Sequence, residues 1–222
     1  MIKNLTIHMM VKNEEKYIRQ TLRSVLPHVE HAIIMDTGSD DNTYDYAEEL
    51  CEEYGNAFLA RKVIKKDSRN WDGNHLNQEL TNLRNEMLSM TETDWVWQVD
   101  GDEIYTEEAI KNLGTSIITL QNMTGCVGLM VPIKWCIGDE HYVHPGPFSK
   151  TLRIFKSKGY WSGEFPNEFL HVDSKPITIG DDRCATTFAP YLHMSMALYP
   201  ERRPANGKVI ELSDEEKQCL SI

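Results

Sequence analysis

Trp95-Val96-Trp97-Gln98-Val99-Asp100-Gly101-Asp102-Glu103 lies near the middle of the chain. It is an apolar, aromatic run that ends in three carboxylates. The run reads as a buried strand, and in α/β folds ligands gather at the carboxyl ends of strands. Negative charges at such a tip cost free energy unless a cation completes them. In an extended segment Asp100 and Asp102 point to the same side. The pair therefore reads as a site for a hard divalent cation, Mg2+ or Mn2+, sharing a phosphate-bearing substrate. A solvated Asp-Gly-Asp turn is the alternative for this DXD motif taken alone.

Upstream, Leu5 to Val11 reads as a first strand, rich in β-branched and apolar residues. Lys12-Asn13-Glu14-Glu15 breaks it and opens a helix whose first turn carries acids, where they suit the helix dipole. Ile18, Leu22, Val25 and Leu26 recur at helical spacing until Pro27. Ala32 to Met35 is a second strand, stopping at the turn-rich loop Asp36-Thr37-Gly38-Ser39-Asp40-Asp41-Asn42-Thr43. A second helix buries Ala47, Leu50, Cys51 and Tyr54 and stops at Gly55. Ala57 to Ile64 reads as a third strand, and Leu76, Leu80, Leu83 and Met87 mark a third helix. Between them, polar residues 65–74, with Trp71, read as a loop over the site. Thr106 caps a fourth helix carrying Ile110, Leu113 and Ile117. Such β-α alternation implies a mainly parallel twisted sheet with helices on both faces.

Beyond Gly125 the character changes. Cys126 to Ile133 and Thr151 to Phe155 read as strands, separated by the Gly/Pro/His-rich stretch Gly138 to Pro147. Gly159-Tyr160-Trp161-Ser162-Gly163 reads as a turn with aromatics. The chain divides into a half at 1–124 that binds a nucleotide, a half at 125–200 that completes the site, and a peripheral tail at 201–222.

Composition narrows the function. The 222 residues carry 41% apolar and 26% charged side chains and a formal net charge of −11. That charge argues against duplex nucleic acid, whose binding rests on Lys and Arg neutralising phosphates. No run approaches the length of a membrane span, and Met1 to Leu5 has no signal-peptide layout. The five cysteines, Cys51, Cys126, Cys136, Cys184 and Cys219, show no CxxC pairing. They fit reduced thiols in a cytoplasmic protein.

Other residues converge on the same rim. Glu14 and Asp36 fall at strand ends and can accept from ribose hydroxyls or a base N–H. Each could equally serve a helix start or an Asx turn. Arg84 lies beside the buried stripe of the third helix, able to pair with Asp100 or reach a nucleotide. His193 sits in a late apolar stretch as a candidate metal ligand; His141, His144 and His171 are its rivals. Glu168, between Phe165, Pro166 and Phe169, is the candidate base, since an apolar setting suits a carboxyl to proton abstraction. Glu164 and Asp139 are the alternates.

Together, Met10-Val11-Lys12-Asn13-Glu14-Glu15, the stretch Ile33 to Thr43, Leu83-Arg84-Asn85 and Asp94 to Glu103 resemble glycosyltransferase family 2 over about the first hundred residues. The resemblance implies a GT-A fold, an inverting transfer from a nucleotide-sugar donor and a divalent metal, Mn2+ or Mg2+. It sets Val11, Lys12, Glu14, Asp36, Thr37, Arg84 and Asp100 beside the nucleotide. It makes Asp102, His193 and Asp100 the metal set. A UDP-sugar is the donor implied by the family's habits, and the acceptor is a carbohydrate, a lipid-linked glycan or a protein. Many relatives carry a His-Glu pair where this chain has Asn167-Glu168. Two rival readings remain. A sugar-phosphate nucleotidyltransferase should carry a Gly-rich basic loop after the first strand, where this chain has acidic Lys12 to Glu15. A catalytically silent glycan-binding module would keep the scaffold alone.

Overall fold

Residues 1–64, 78–137, 141–144, 150–164, 167–178, 180–195 and 208–221 are described by the structure, a computed structural model. The first strand, β1 (Ile2–Val11), alternates as its sequence demands. Leu5, Ile7, Met9 and Val11 enter the main core, while Thr6 and His8 are buried on the opposite face. Helices α1 (Ile18–Val25) and α2 (Thr43–Tyr54) cover the first face, each presenting a narrow apolar stripe that includes Ile18, Leu22, Ala47 and Leu50. Between them run a 3-10 turn, Leu26–His28, with Pro27 at its start, and β2 (Val29–Asp36). Gly55 ends α2 in the left-handed region at φ 67°, a conformation that only a residue without Cβ adopts at no cost.

The chain continues through β3 (Ala57–Arg61), α3 (Gln78–Ser89), β4 (Trp95–Gln98), β5 (Glu103–Ile104) and α4 (Glu107–Gln121). Helix α3 lies on the other face, where Leu83 and Met87 pack on Ile33 and Met35. Helix α4 joins α1 and α2 on the main-core face. Its cap is the one expected: Thr106 accepts from Ala109 N at 3.1 Å. Helices therefore cover both faces.

Strands β1, β2, β3 and β4 run parallel in the order β3-β2-β1-β4. The chain first builds to one side of β1 and then crosses to the other. The carboxyl ends of β1 and β4 thus flank a topological switch point, where an open α/β sheet leaves a crevice. Strands β6 (Gly128–Cys136), β7 (His141–His144) and β8 (Lys150–Lys156) extend the sheet past β4, with β8 antiparallel to both β4 and β6. The curled sheet is mixed rather than parallel throughout. Later come β9 (Gly159–Glu164), β10 (Asn167–Val172), β11 (Lys175–Pro176), β12 (Cys184–Thr186), β13 (Tyr191–His193), β14 (Lys208–Glu211) and α5 (Asp214–Leu220).

One sequence expectation changes here. Residues 159–163 form a strand, not a turn; β9 pairs with β10 in a separate three-stranded sheet over α3. Its inner side chains, Trp161, Leu170 and Val172, pack on Val96 and Phe155, and that burial outweighs the two glycines. The described part of the tail is docked: β14 pairs with β7, and Leu212 and Leu220 pack with Tyr17, Ile104 and Leu192. Trp71 and Asp139 lie outside the described residues. Among the described residues no helix is long and apolar enough to cross a membrane.

Candidate active site

The loops after β1 and β2 are tied to each other. Asn13 turns the chain at φ 57°, a left-handed conformation that Asn tolerates. Its N–H donates to Ser39 Oγ (3.0 Å), and its Oδ1 accepts from Asp40 N (2.9 Å). Glu14 N donates to Thr43 Oγ1 (2.7 Å), and Glu15 N to Asp41 Oδ2 (3.2 Å). This corrects one expectation: α1 begins at Ile18 with no acid in its first turn, because both acidic residues are engaged by the second loop. Thr37 closes the rim by donating from N and Oγ1 to Val11 O, at 2.9 and 3.1 Å. Lys12 is half-buried between these anchors.

Asp36 is the last residue of β2 and is fully buried. Its Oδ1 accepts from Gly38 N (2.9 Å), Ser39 N (3.0 Å) and Arg61 Nε (3.1 Å). Burial alone would raise this carboxyl, but the bonds from Ser39, Arg61 and Gly38 outweigh it and hold the group below its ordinary value. Asp36 Oδ2 is buried with no hydrogen-bond partner. An orphaned buried acceptor costs free energy, and an N–H of a bound base would satisfy it.

The acidic corner departs from the sequence expectation. Residues 100–102 form a turn, not an extension of β4, closed by Glu103 N donating to Asp100 O at 3.1 Å. Asp100 and Asp102 are therefore not the alternate residues of one strand. Gly101 makes the turn possible: a Cβ there would stand 2.8 Å from Glu14 Cγ and 3.1 Å from Val11 Cγ1. Thr21 Oγ1, on α1, fixes the turn by donating to Gly101 O at 2.9 Å. The turn brings Glu103, which the alternation argument passed over, into the corner; its Oε2 accepts from Asp100 N at 3.2 Å.

His193 arrives by strand register. Strand β13 pairs with β5 so that His193 stands opposite Glu103, and Met194 N donates to Asp102 O at 2.9 Å. His193 Nε2 lies 3.7 Å from Asp102 Oδ1 and 3.8 Å from Glu103 Oε1. One ligand atom each from Asp100, Glu103 and His193 fall within 4.8 Å of one another. Two carboxylate oxygens and an imidazole nitrogen at this spacing suit Mn2+ or Mg2+. Asp102 borders this set through His193.

The sequence showed no sign of Arg153, on β8. Its Nη2 donates to Asp100 Oδ2 at 3.0 Å and makes a short ion pair with Glu103. The premise that these carboxylates lack a protein cation is thus corrected: a buried guanidinium compensates two of them. Burial pushes the Glu103 carboxyl well above its ordinary value despite Arg153, with Asp100 and Asp102 adding repulsion. Burial also raises Asp102, and His193 only partly offsets it. Asp100 keeps 42% of its side-chain surface; burial works to raise it, but Arg153, Arg84 and His193 together hold it low.

Helix α3 and the β9–β10 hairpin form the opposite wall. Asn85 exchanges two hydrogen bonds with the Trp161 backbone, at 2.7 and 2.9 Å, which explains the Asn of the Leu83-Arg84-Asn85 triplet. Arg84 Nε stands 3.0 Å from Glu168 Oε2, and the guanidinium lies 4.8 Å from the Trp161 ring centroid. Arg84 therefore pairs with Glu168, not with Asp100. The expected apolar setting of Glu168 is also revised: Phe169 faces outward, 51% exposed, and the neighbour is a cation. Glu168 Oε1 is buried with no hydrogen-bond partner. Arg84, Asp100, Trp161, His8, Gln98 and Phe155 line one narrow crevice. Glu164 shares the outer face of the hairpin with Tyr160, Phe169 and His171 by register, away from this wall. His171 bonds Ser162 there at 2.8 Å, and His141 lies in β7 opposite Glu211.

The structure thus gathers a carboxylate and imidazole cluster at the switch point of an α/β sheet, the place where such sheets bind ligands. The profile of glycosyl transferase family 2 matches residues 6–128, more than half of the 222 residues, and the chain belongs to that family. Among solved structures it is similar to TarS of S. aureus, with 17% identity, a TM-score of 0.46, and coverage of 69% of this chain and 28% of that one. The mannosyltransferase of Pyrobaculum calidifontis, solved with GDP-Man and Mn2+, shows 14% identity, a TM-score of 0.46, and coverage of 59% and 35%. Glucosyl-3-phosphoglycerate synthase of Mycobacterium tuberculosis, solved with Mn2+ and UDP-Glc, shows 19% identity, a TM-score of 0.40, and coverage of 60% and 44%. The chain thus spans less than half the length of each. No curated protein matches it.

Proposed function

We propose that the chain is a metal-dependent, inverting glycosyltransferase that moves a sugar from a nucleoside-diphosphate donor to an acceptor hydroxyl. The observation that carries the reading is the placement of Asp100, Glu103 and His193, within 4.8 Å, at the switch point between β1 and β4. A divalent ion held by these groups, with Asp102 beside them, would neutralise the charge of the diphosphate leaving group. The buried Asp36 Oδ2 would accept an N–H from the nucleotide base, with Val11, Lys12, Glu14 and Thr37 forming the surrounding rim.

Glu168 acts as the base in this reading. Its carboxylate takes the acceptor hydroxyl proton as that oxygen bonds to the anomeric carbon and the carbon–oxygen bond to the diphosphate breaks on the opposite face. Arg84 orients that carboxylate from 3.0 Å. Transfer in the cytoplasm is in keeping with five free cysteines.

A thermal-shift panel of nucleotide sugars with Mn2+ identifies the donor, because a ligand that binds only the native state raises its melting temperature. The expected result is a selective response that EDTA removes, followed by donor turnover with inversion at the anomeric carbon. Full donor turnover in EDTA would contradict the metal-dependent reading.

A further inference from the structure

Arg153 is held from several sides in the acidic corner. It is 6% exposed. Besides Asp100 and Glu103, it donates from Nε and Nη2 to Tyr191 Oη, at 3.1 and 3.0 Å. Its guanidinium carbon lies 5.3 Å from the Tyr191 ring centroid. Tyr191 stacks on Tyr105 with centroids 5.2 Å apart, and Tyr105 meets Trp97 edge-on at 4.8 Å. Swinging the guanidinium out would open a gap beside this aromatic column and leave Glu103 buried without its counter-charge. Removing one partner of a buried ion pair costs far more than the pair contributes.

The two carboxylates that Arg153 grips are also two of the three groups in the candidate metal set. A fixed positive charge on those oxygens has two effects. It orients them, and it repels a second cation. Without Arg153, the turn would offer an ion up to three negative charges; with it, no more than two.

We propose that Arg153, by occupying the carboxylate oxygens of Asp100 and Glu103, keeps the affinity for a free divalent ion low, so that the ion is taken up with an anionic diphosphate. This inference rests on the glycosyltransferase reading and goes beyond it. The metal becomes a component of the bound donor, and the apoprotein's corner is completed by its own guanidinium.

The test measures Mn2+ binding by electron paramagnetic resonance on the purified chain, with Mn2+ alone and with UDP or GDP. Wild type is expected to bind Mn2+ alone at least tenfold more weakly than with one of the nucleotides. Arg153→Met should bind Mn2+ alone at least tenfold more tightly than wild type. Arg153→Lys, which keeps the charge but not the fork, should stay weak. A guanidinium serving structure alone would give weaker Mn2+ binding in Arg153→Met, and that result overturns the proposal. Equally tight Mn2+ binding by wild type with and without nucleotide overturns it too, whether or not Arg153→Met folds, and leaves the glycosyltransferase reading standing. Failure of wild type to bind Mn2+ under any of these conditions removes both.

Discussion

His8 sits in mid-strand on β1, under α3, with Nε2 2.6 Å from Thr91 Oγ1. Burial, with a smaller contribution from Arg84, lowers its pKa from 6.5 to about 3. The folded protein therefore holds a neutral imidazole where the unfolded chain takes up a proton below pH 6.5. Stability must rise with pH wherever the unfolded state binds more protons. The contribution is fully present above pH 6.5 and is lost progressively as the pH falls toward the folded value near 3. Each pH unit inside that window costs about 1.4 kcal/mol from this group. The loss is about 0.8 kcal/mol at pH 6.0 and about 2 kcal/mol at pH 5.0. His8→Gln keeps a nitrogen or oxygen near Thr91 and cannot titrate. Urea unfolding of both proteins from pH 7.5 to 5.0 isolates the effect, because the carboxylates common to both cancel in the difference. The stability gap should move in favour of the variant by about 2 kcal/mol over that range. A constant gap would show that His8 is protonated in the native state or accessible to water, and would refute the burial argument for this face of the sheet.

Other perturbations probe the remaining layers. Gly101→Ala sets a Cβ 2.8 Å from Glu14 Cγ; it should cost about 1–3 kcal/mol of stability by overpacking, measured by urea titration, and should weaken nucleotide binding. Thr106→Ala removes the oxygen that caps α4, costing about 1 kcal/mol and lowering the melting temperature by about 2–4 °C. Glu168→Gln should reduce transfer by about a hundredfold or more, while the thermal shift with Mn2+ and donor persists; unimpaired transfer would move the base elsewhere. Asp36→Asn replaces one of the two carboxylate oxygens, of which Oδ2 is the orphaned acceptor, with an amide nitrogen and should weaken nucleotide binding measured by calorimetry, with Mn2+ binding unchanged.

How far the sequence could be read follows from the range of the forces involved. The strands β1, β2 and β4 were visible because each is a short apolar run bounded by a polar break, and the caps at Thr106 and Gly55 are local chemistry. The candidates Glu14, Asp36 and Asp100 stood out because each lies at one of those boundaries, whereas Arg84, in the middle of α3, stood out only through the Leu83-Arg84-Asn85 triplet and its place beside the helix's buried stripe. The acidic turn was misread at one step. Alternation holds only in extended chain, and Gly101 bends it, so Glu103 enters the site and Asp102 borders it. Arg153 and Tyr191 gave no signal. They stand in ordinary-looking strands, and only the pairings of β8 with β4 and of β13 with β5 bring them to the corner. The pairing of Arg84 with Glu168 was hidden for the same reason, since it crosses from α3 to a hairpin whose glycines resemble a turn. A search for buried cations near an acidic strand end would have raised Arg153, though not chosen it over the other arginines.

The most direct measurement is an anomalous difference map from crystals soaked with Mn2+ and the responding nucleoside diphosphate. A single peak within ligand distance of Asp100, Glu103 and His193, in contact with the diphosphate, is the predicted result. A map with no peak there, with Asp100 and Glu103 still paired with Arg153, would contradict the assignment of this corner as the metal and donor site.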